Sequence, residues 1–245
     1  MKNREAAAPV VAFSLIGQVG EQGLVALKDS GITSPKDFEG KTVGYRTFPS
    51  PEYIAMLASL GVDRSKITEV NLESPDVRLL TEGQVDVLPA FLSNEPFKLK
   101  QLGKEIVTFN PADYGIANYG LTYITSEDVL ANRPETLRRF LRAATRGMLY
   151  AIEHPDEAIT ITLKYATDAD PEAQRFILDT EIGHASSELV KANGLGWQTA
   201  EQWQAAYQVL RQNGGLEKDQ DPSKAWTDAI LKQIWENGKL LPGDQ

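Results

Sequence analysis

The chain contains no cysteine, which removes thiol nucleophiles, thiolate metal sites and disulfides and leaves the compartment open. Histidine is scarce: His154 and His184 are the two present, and neither stands in a motif that would support a zinc site or a Ser-His-Asp triad. No apolar run approaches the ~18 residues that a membrane-spanning helix needs. Positive charge is short as well. Against 34 Asp and Glu stand 25 Lys and Arg, a net charge of −9, and a surface of that sign does not suit phosphate contacts, so nucleic acid is not expected as a partner. The phosphate-loop, dinucleotide, nucleophile-elbow and zinc-protease motifs are all missing, and no spacing pairs two carboxylates. Catalytic residues, metal ligands and cofactors are therefore not expected. The N-terminal Met1-Lys2-Asn3-Arg4-Glu5 is charged and no apolar stretch with a cleavage site follows it, so no signal peptide is read in this chain.

What is present is an ordinary core-forming composition: 245 residues, 42% hydrophobic and 24% charged, which suits one large domain or two small lobes. Pro9 to Ile16 is a continuous apolar run and reads as a buried strand. Short strands are expected at Leu24–Leu27, Lys41–Tyr45, Lys66–Leu72, Val85–Phe91 and Ile106–Phe109. Helix starts separate them at Ser34-Pro35, Ser50-Pro51, Ser74-Pro75-Asp76 and Asn94-Glu95-Pro96. This alternation predicts a sheet covered by helices on both faces. From Ser126 the texture becomes helical. Pro134 to Glu153 is the clearest helix, with Leu137, Phe140, Leu141, Ala144 and Met148 on one face, and residues 222–236 read as a terminal helix.

The stretch from Val43 to Glu52 is the strongest site candidate. A short strand ends at Tyr45, and a helix opens with Ser50 at the N-cap, Pro51 at its first position and Glu52 in its first turn. Strand ends that open onto helix N-termini are where α/β folds receive ligands, although an ordinary βα connection has the same pattern. Polar or aromatic residues recur at other strand ends: Gln18, Asn94, Glu95, Tyr114 and Tyr119. Aromatic faces stack on planar ligands, and a carboxylate accepts hydrogen bonds from the amino group of a heterocycle. Each also has a plain structural reading, Tyr45 as core, Glu95 as a first-turn acid and Arg46 as an exposed loop residue.

Several segments together carry a resemblance: Leu24 through Gly44-Tyr45, Gly83-Gln-Val-Asp86, Ser93-Asn94-Glu95-Pro96, Asp113-Tyr114-Gly115, Tyr119-Gly120-Leu121, His154-Pro155-Asp156 and Gly194-Leu-Gly-Trp197. They resemble the solute-binding proteins of ABC importers in the NMT1/THI5-like family, which includes binders of thiamine pyrimidine precursors and of riboflavin. The resemblance implies an α/β, periplasmic-binding-protein type II-like fold with a small planar heterocycle held between two lobes and no catalysis. It also implies an ABC permease as membrane partner and a periplasmic or extracytoplasmic location. A pyrimidine-synthase-like enzyme and a cytosolic ligand-sensing domain are the alternatives. Residues 1–40 and 120–245 are assigned to the first lobe and 41–119 to the second. The ligand-binding residues implied are Gln18, Tyr45, Arg46, Thr47, Phe48, Ser50, Asn94, Glu95, Tyr114 and Tyr119. Two departures stand out. The loop that is glycine-rich in the family is filled here by Arg46-Thr47-Phe48-Pro49. Family members also carry further strands and helices ahead of the stretch matching Pro9 to Ile16. The first lobe is therefore expected to be incomplete, with an open edge along that strand, self-association through it, and weak ligand binding by a monomer.

Overall fold

The structure, a computed structural model, describes residues 1–243. In chain order the elements run α1 (Lys2–Glu5), β1 (Val10–Leu15), β2 (Gln22–Leu27), β3 (Thr42–Tyr45), α2 (Pro51–Ser59), β4 (Thr68–Asn71), α3 (Val77–Thr81) and β5 (Val87–Phe91). Then follow α4 (Glu95–Gln101), β6 (Ile106–Phe109), β7 (Thr122–Ser126), α5 (Glu127–Asn132), α6 (Pro134–Glu153), α7 (Pro155–Tyr165) and α8 (Pro171–Ala185). The chain closes with α9 (Glu188–Asn193), α10 (Ala200–Gln212), α11 (Leu231–Ile234), β8 (Trp235–Glu236) and β9 (Lys239–Leu240). Two compact units result. The first holds Met1–Val19, Tyr119–Tyr207 and the chain from Lys218 onward; the second holds Gly20–Asn118 and Gln208–Glu217.

In the second unit a five-stranded sheet has the order β4-β3-β5-β2-β6, with β3 parallel to β4 and β5, and β2 antiparallel to β5 and β6. Strand β2, interior between β5 and β6, is apolar on both sides because both faces are covered. Leu24 and Ala26 join Phe38, Met56, Leu57 and Phe109 in one core cluster, while Val25 joins Leu80, Leu88 and Leu99 in another. Phe38 and Phe109 meet edge to face at 5.2 Å, and full burial of such side chains contributes roughly 1.5–3 kcal/mol each. This placement moves residues 20–40 out of the lobe expected for them: β2 lies inside the second sheet and Phe38 inside its core.

The helix starts follow their capping signals. Ser34 and Asp37 form a capping box, and the Ser50 hydroxyl accepts from the Tyr53 N–H at 3.1 Å. Within the expected start Ser74-Pro75-Asp76 it is Asp76 that caps α3, its carboxylate accepting from the Arg78 N–H at 2.9 Å. Helix α2 buries Tyr53, Met56 and Leu57 and leaves Ala58 exposed. Tyr53 takes that inner place because its ring fills the space beside Leu24 and Val43 in the same cluster.

The first unit has a single core cluster around Phe13, Leu137, Leu141, Ile230 and Ile234. Helix α6 runs from Pro134 to Glu153 as its periodicity predicts, with Leu137 and Leu141 inward and Phe140 half-exposed. The expected terminal helix over 222–236 does not form. Asp221 caps a short 3-10 turn at Pro222–Ala225, and Trp226 and Thr227 then follow β1, with a bridge from Ala12 to Trp226 and the Thr227 N–H bonded to the Ala12 carbonyl at 2.8 Å. Those bonds, with the Leu15 N–H to the Gly196 carbonyl at 2.9 Å, occupy the side of β1 away from β7. The open edge expected on Pro9–Ile16 therefore lies elsewhere. Strand β1 is buried over Val11–Leu15, and of this pair it is β7 whose other side carries no further strand, among the described residues.

Candidate functional site

The second unit contains a cavity of about 340 Å³, within the range of small-molecule sites. Part of its lining comes from the sheet. Strands β3 and β5 pair at one position, Val43 with Val87, and the ladder stops two residues before Pro89, which has no N–H to offer. Gly44 of β3 and Pro89 of β5 both line the space. A Cβ at Gly44 would stand 2.5 Å from Leu72 Cδ1 and 3.2 Å from Pro89 Cδ, so glycine is what lets these side chains pack onto β3 at the cavity's edge.

The loop after β3 forms one wall: Tyr45, Arg46, Thr47, Phe48, Pro49 and Ser50 all line the cavity, with Tyr53 of α2 behind them. The opposite side comes from Gln22, Gly23 and Leu24 of β2, Ala90 and Phe91 of β5, and Pro75 and Pro111. Within the loop, the Phe48 N–H bonds the Arg46 carbonyl at 2.6 Å and the Thr47 N–H bonds Asn71 Oδ1 at 3.1 Å. Thr47 sits at φ 62°, a left-handed conformation that a β-branched residue adopts at a cost of about 1–3 kcal/mol. The three-residue turn places Arg46 and Phe48 on either side of it, both on the cavity wall. Burial, and then the nearby Glu69 carboxylate, push the Tyr53 hydroxyl well above the ordinary tyrosine range, so it stays neutral. Glu69 is itself held by Arg64 through contacts of 2.6 and 2.7 Å.

Behind the β2 side, buried Asn118 donates to the Gln22 carbonyl at 3.1 Å and to Asn110 Oδ1 at 3.0 Å, and Asn110 donates to the Gly20 carbonyl at 2.8 Å. These bonds fix the backbone of Gln22, whose exposed amide offers both donors and an acceptor at the cavity.

Of the expected ligand residues, Tyr45, Arg46, Thr47, Phe48 and Ser50 come together here, although the Ser50 hydroxyl is committed to capping α2. Glu95 does not line the cavity. Its buried carboxylate accepts from the Phe91 N–H at 2.7 Å and from Asn94 Nδ2 at 3.0 Å, with Lys98 Nζ at 3.7 Å, so Asn94 and Glu95 shape the turn that carries Phe91. Tyr114 packs half-buried against the Phe38 cluster, and burial followed by the Asp113 charge raises its hydroxyl. Gln18 and Tyr119 belong to the first unit. Tyr119 is half-buried and raised by that burial. The Gln18 amide is consumed internally: Nε2 donates to the Leu15 and Trp197 carbonyls at 2.7 and 2.9 Å, and Oε1 accepts from Gln202 at 3.0 Å. Gln22, Tyr53 and Phe91 were missed as wall residues. The proline inside the apolar run Val85–Phe91, which lines the cavity, was the one local sign that this strand end is irregular.

The family described as NMT1/THI5 like matches residues 1–158, well over half of the sequence. The chain belongs to the NMT1/THI5-like family. Its relatives include the riboflavin-binding protein RibY of Chloroflexus aurantiacus, 27% identical over 235 residues, 93% of this chain and 66% of the relative. The formylaminopyrimidine-binding protein of Halalkalibacterium halodurans is 28% identical over 215 residues, 86% of this chain and 65% of that one. A 4-amino-5-hydroxymethyl-2-methylpyrimidine phosphate synthase of Legionella pneumophila is 30% identical over 154 residues, 61% of this chain and 49% of the enzyme. The chain thus spans about 65% of the length of the binding proteins it matches. Among solved structures, the periplasmic aliphatic sulphonate binding protein SsuA of Escherichia coli aligns over 99% of this chain and 74% of its own, with a TM-score of 0.68 at 15% identity. At that identity the likeness concerns the fold alone, and this NMT1/THI5-like chain has the α/β fold of the type II periplasmic binding proteins.

Proposed function

We propose that this protein is the solute-binding component of an ABC importer and that it receives a small planar heterocycle, of the riboflavin or aminopyrimidine kind, in the cavity of its second unit. The observation that carries this reading is the wall itself. Tyr45, Phe48, Tyr53 and Phe91 surround a space bounded by prolines, an arrangement suited to sandwiching a flat ring, and Gln22 supplies an amide for its edge. The names of the two binding-protein relatives support the same class of ligand. The proposed setting is periplasmic or extracytoplasmic, with a membrane permease as partner.

Isothermal titration with riboflavin and with formylaminopyrimidine tests the reading. Saturable binding of one of them is expected, and at a hundredfold excess over Kd it adds about 2.7 kcal/mol of stability. Tyr45→Ala and Phe91→Ala are each expected to weaken it by about tenfold, the scale of losing one stacked ring. Absence of binding by both compounds refutes the reading.

The pyrimidine-synthase relative makes an enzyme the second reading. The absence of Cys from the chain and of His from the cavity wall weighs against metal-assisted chemistry at this site. Iron-dependent formation of a pyrimidine product would establish the enzyme instead. Self-association is proposed through the open edge of β7, a strand without charge or proline. Light scattering of the purified chain is expected to show oligomers that Ile124→Lys converts to monomer, and the monomer is expected to bind ligand more weakly. A wild-type chain that is wholly monomeric would remove this proposal.

A further inference from the structure

Resting on the reading above, we propose that the cavity of the second unit selects a planar heterocycle bearing an anionic group, with Arg46 as the counter-charge. The chain is acidic, with 34 of 245 residues Asp or Glu, yet none of the cavity-lining residues is acidic, and Arg46 is the one charged residue among them. Glu52 follows the same loop but does not line the cavity. Arg46 is exposed and, among the described residues, has no carboxylate within salt-bridge distance. Two other arginines of the same unit are matched, Arg64 by Glu69 and Arg78 by Asp76, each at 2.6 Å. A guanidinium that faces a concave, largely apolar wall keeps its donors for a ligand, and charge-assisted bonds to an oxyanion are about twice as strong as neutral ones.

The tight turn at Thr47 makes this a fixed pair of contacts. It holds the Arg46 carbonyl to the Phe48 N–H and anchors the Thr47 N–H to Asn71, so the guanidinium-bearing residue and the ring of Phe48 flank one strained position on one wall. A ring that stacks at Phe48 and carries a phosphate or carboxylate satisfies both. A cationic heterocycle meets Arg46 with like charge and no acid to offset it.

The test uses the whole chain and two matched pairs: riboflavin with riboflavin 5′-phosphate, and 4-amino-5-hydroxymethyl-2-methylpyrimidine with its phosphate. Titration at low salt is expected to give the phosphorylated member of at least one pair an affinity about tenfold higher, the scale of one charge-assisted contact. The difference is expected to shrink in high salt and to vanish in Arg46→Gln, whatever that variant does to binding of the unphosphorylated member. Arg46→Lys is expected to restore part of the preference. Thermal unfolding of Arg46→Gln unchanged from wild type shows that the variant is folded. Equal affinity within both pairs overturns the proposal and leaves the heterocycle reading standing. Inorganic phosphate binding as tightly as the phosphorylated heterocycle also overturns it, because the ring would then contribute nothing. Binding of no member of either pair, nor of formylaminopyrimidine, refutes the heterocycle reading and this proposal with it.

Discussion

The second unit buries its sheet on both faces, with Phe38, Met56 and Phe109 on one side and Leu80, Leu88 and Leu99 on the other, whereas the first unit gathers its helices around one cluster. Their surfaces differ accordingly. Of the large apolar residues left exposed, Leu121, Ile124, Phe140, Tyr150, Ile152, Ile161 and Tyr165 fall in the first unit. Four fall in the second, and two of those, Phe48 and Phe91, line the cavity. The sheet edges differ as well. Strand β4 carries Glu69 paired with Arg64, and β6 is preceded by Lys104 and Glu105, both of them charged edges of the kind that discourage pairing with another chain. Strand β7 reads Thr-Tyr-Ile-Thr-Ser and has no such protection. A unit closed on both faces can hold a strained, cavity-lining loop without losing its fold. The other unit presents apolar surface suited to being covered.

Core substitutions give the largest contrast. Phe109→Ala is expected to cost about 3–5 kcal/mol and Ile161→Ala less than about 0.5 kcal/mol. All four tryptophans, Trp197, Trp203, Trp226 and Trp235, lie in the first unit. Urea unfolding of Phe109→Ala should therefore lose far-ultraviolet circular dichroism before tryptophan fluorescence changes, and coincident curves would show that the units do not unfold separately. Next in size is Gln18→Ala, expected to cost about 1–3 kcal/mol because the carbonyls of Leu15 and Trp197 lose their donor. A Gln18→Ala protein of wild-type stability that fails to bind ligand would return Gln18 to the binding wall.

Thr47→Gly should stabilise the second unit by about 1 kcal/mol, the scale of relieving a positive φ, less the entropy glycine loses on folding. A loss of stability would mean that the threonine side chain is held by contacts that outweigh the strain.

Acid gives the smallest effect. Hydrogen bonds and ion pairs lower the carboxyls of Asp37, Glu39, Asp63 and Asp76 in the second unit, Asp76 to about 2 through its side-chain bond to Arg78. In the first unit Glu201 and Asp221 are lowered, by backbone and side-chain hydrogen bonds at their turns. A depressed folded value means that the stabilisation is present above the ordinary carboxyl range and is lost as pH falls through that range toward the folded values. Circular dichroism is therefore expected to respond to acid slightly before tryptophan fluorescence does, and the reverse order would place the acid-sensitive contacts in the first unit.

Much of this was legible locally. The apolar run of β1, the capping residues Ser34 and Ser50, the span of α6 and the loop from Tyr45 to Ser50 follow from neighbours a few residues apart, because capping and periodicity are short-range effects. Resemblance added the family, and the match over residues 1–158 agrees with it. Local pattern failed where long-range bonds decide a residue's role. Gln18 finds its partners in Trp197 and Gln202, far along the chain, and Glu95 is turned inward by the Phe91 N–H. Residues 222–236 have helical spacing, but the open hydrogen bonds of β1 draw Trp226 and Thr227 into an extended path.

The amino-acid sequence alone determined the strands and helices up to α6, the caps at Ser34 and Ser50, the acidic balance and the identity of the loop that forms one wall. Tertiary structure decided the rest: that β2 belongs to the five-stranded sheet, between β5 and β6, and that Phe91, Gln22 and Tyr53 share one cavity with Arg46 and Phe48. These residues come from strands and loops distant in sequence, and spacing along one strand carries no record of which neighbour it will meet.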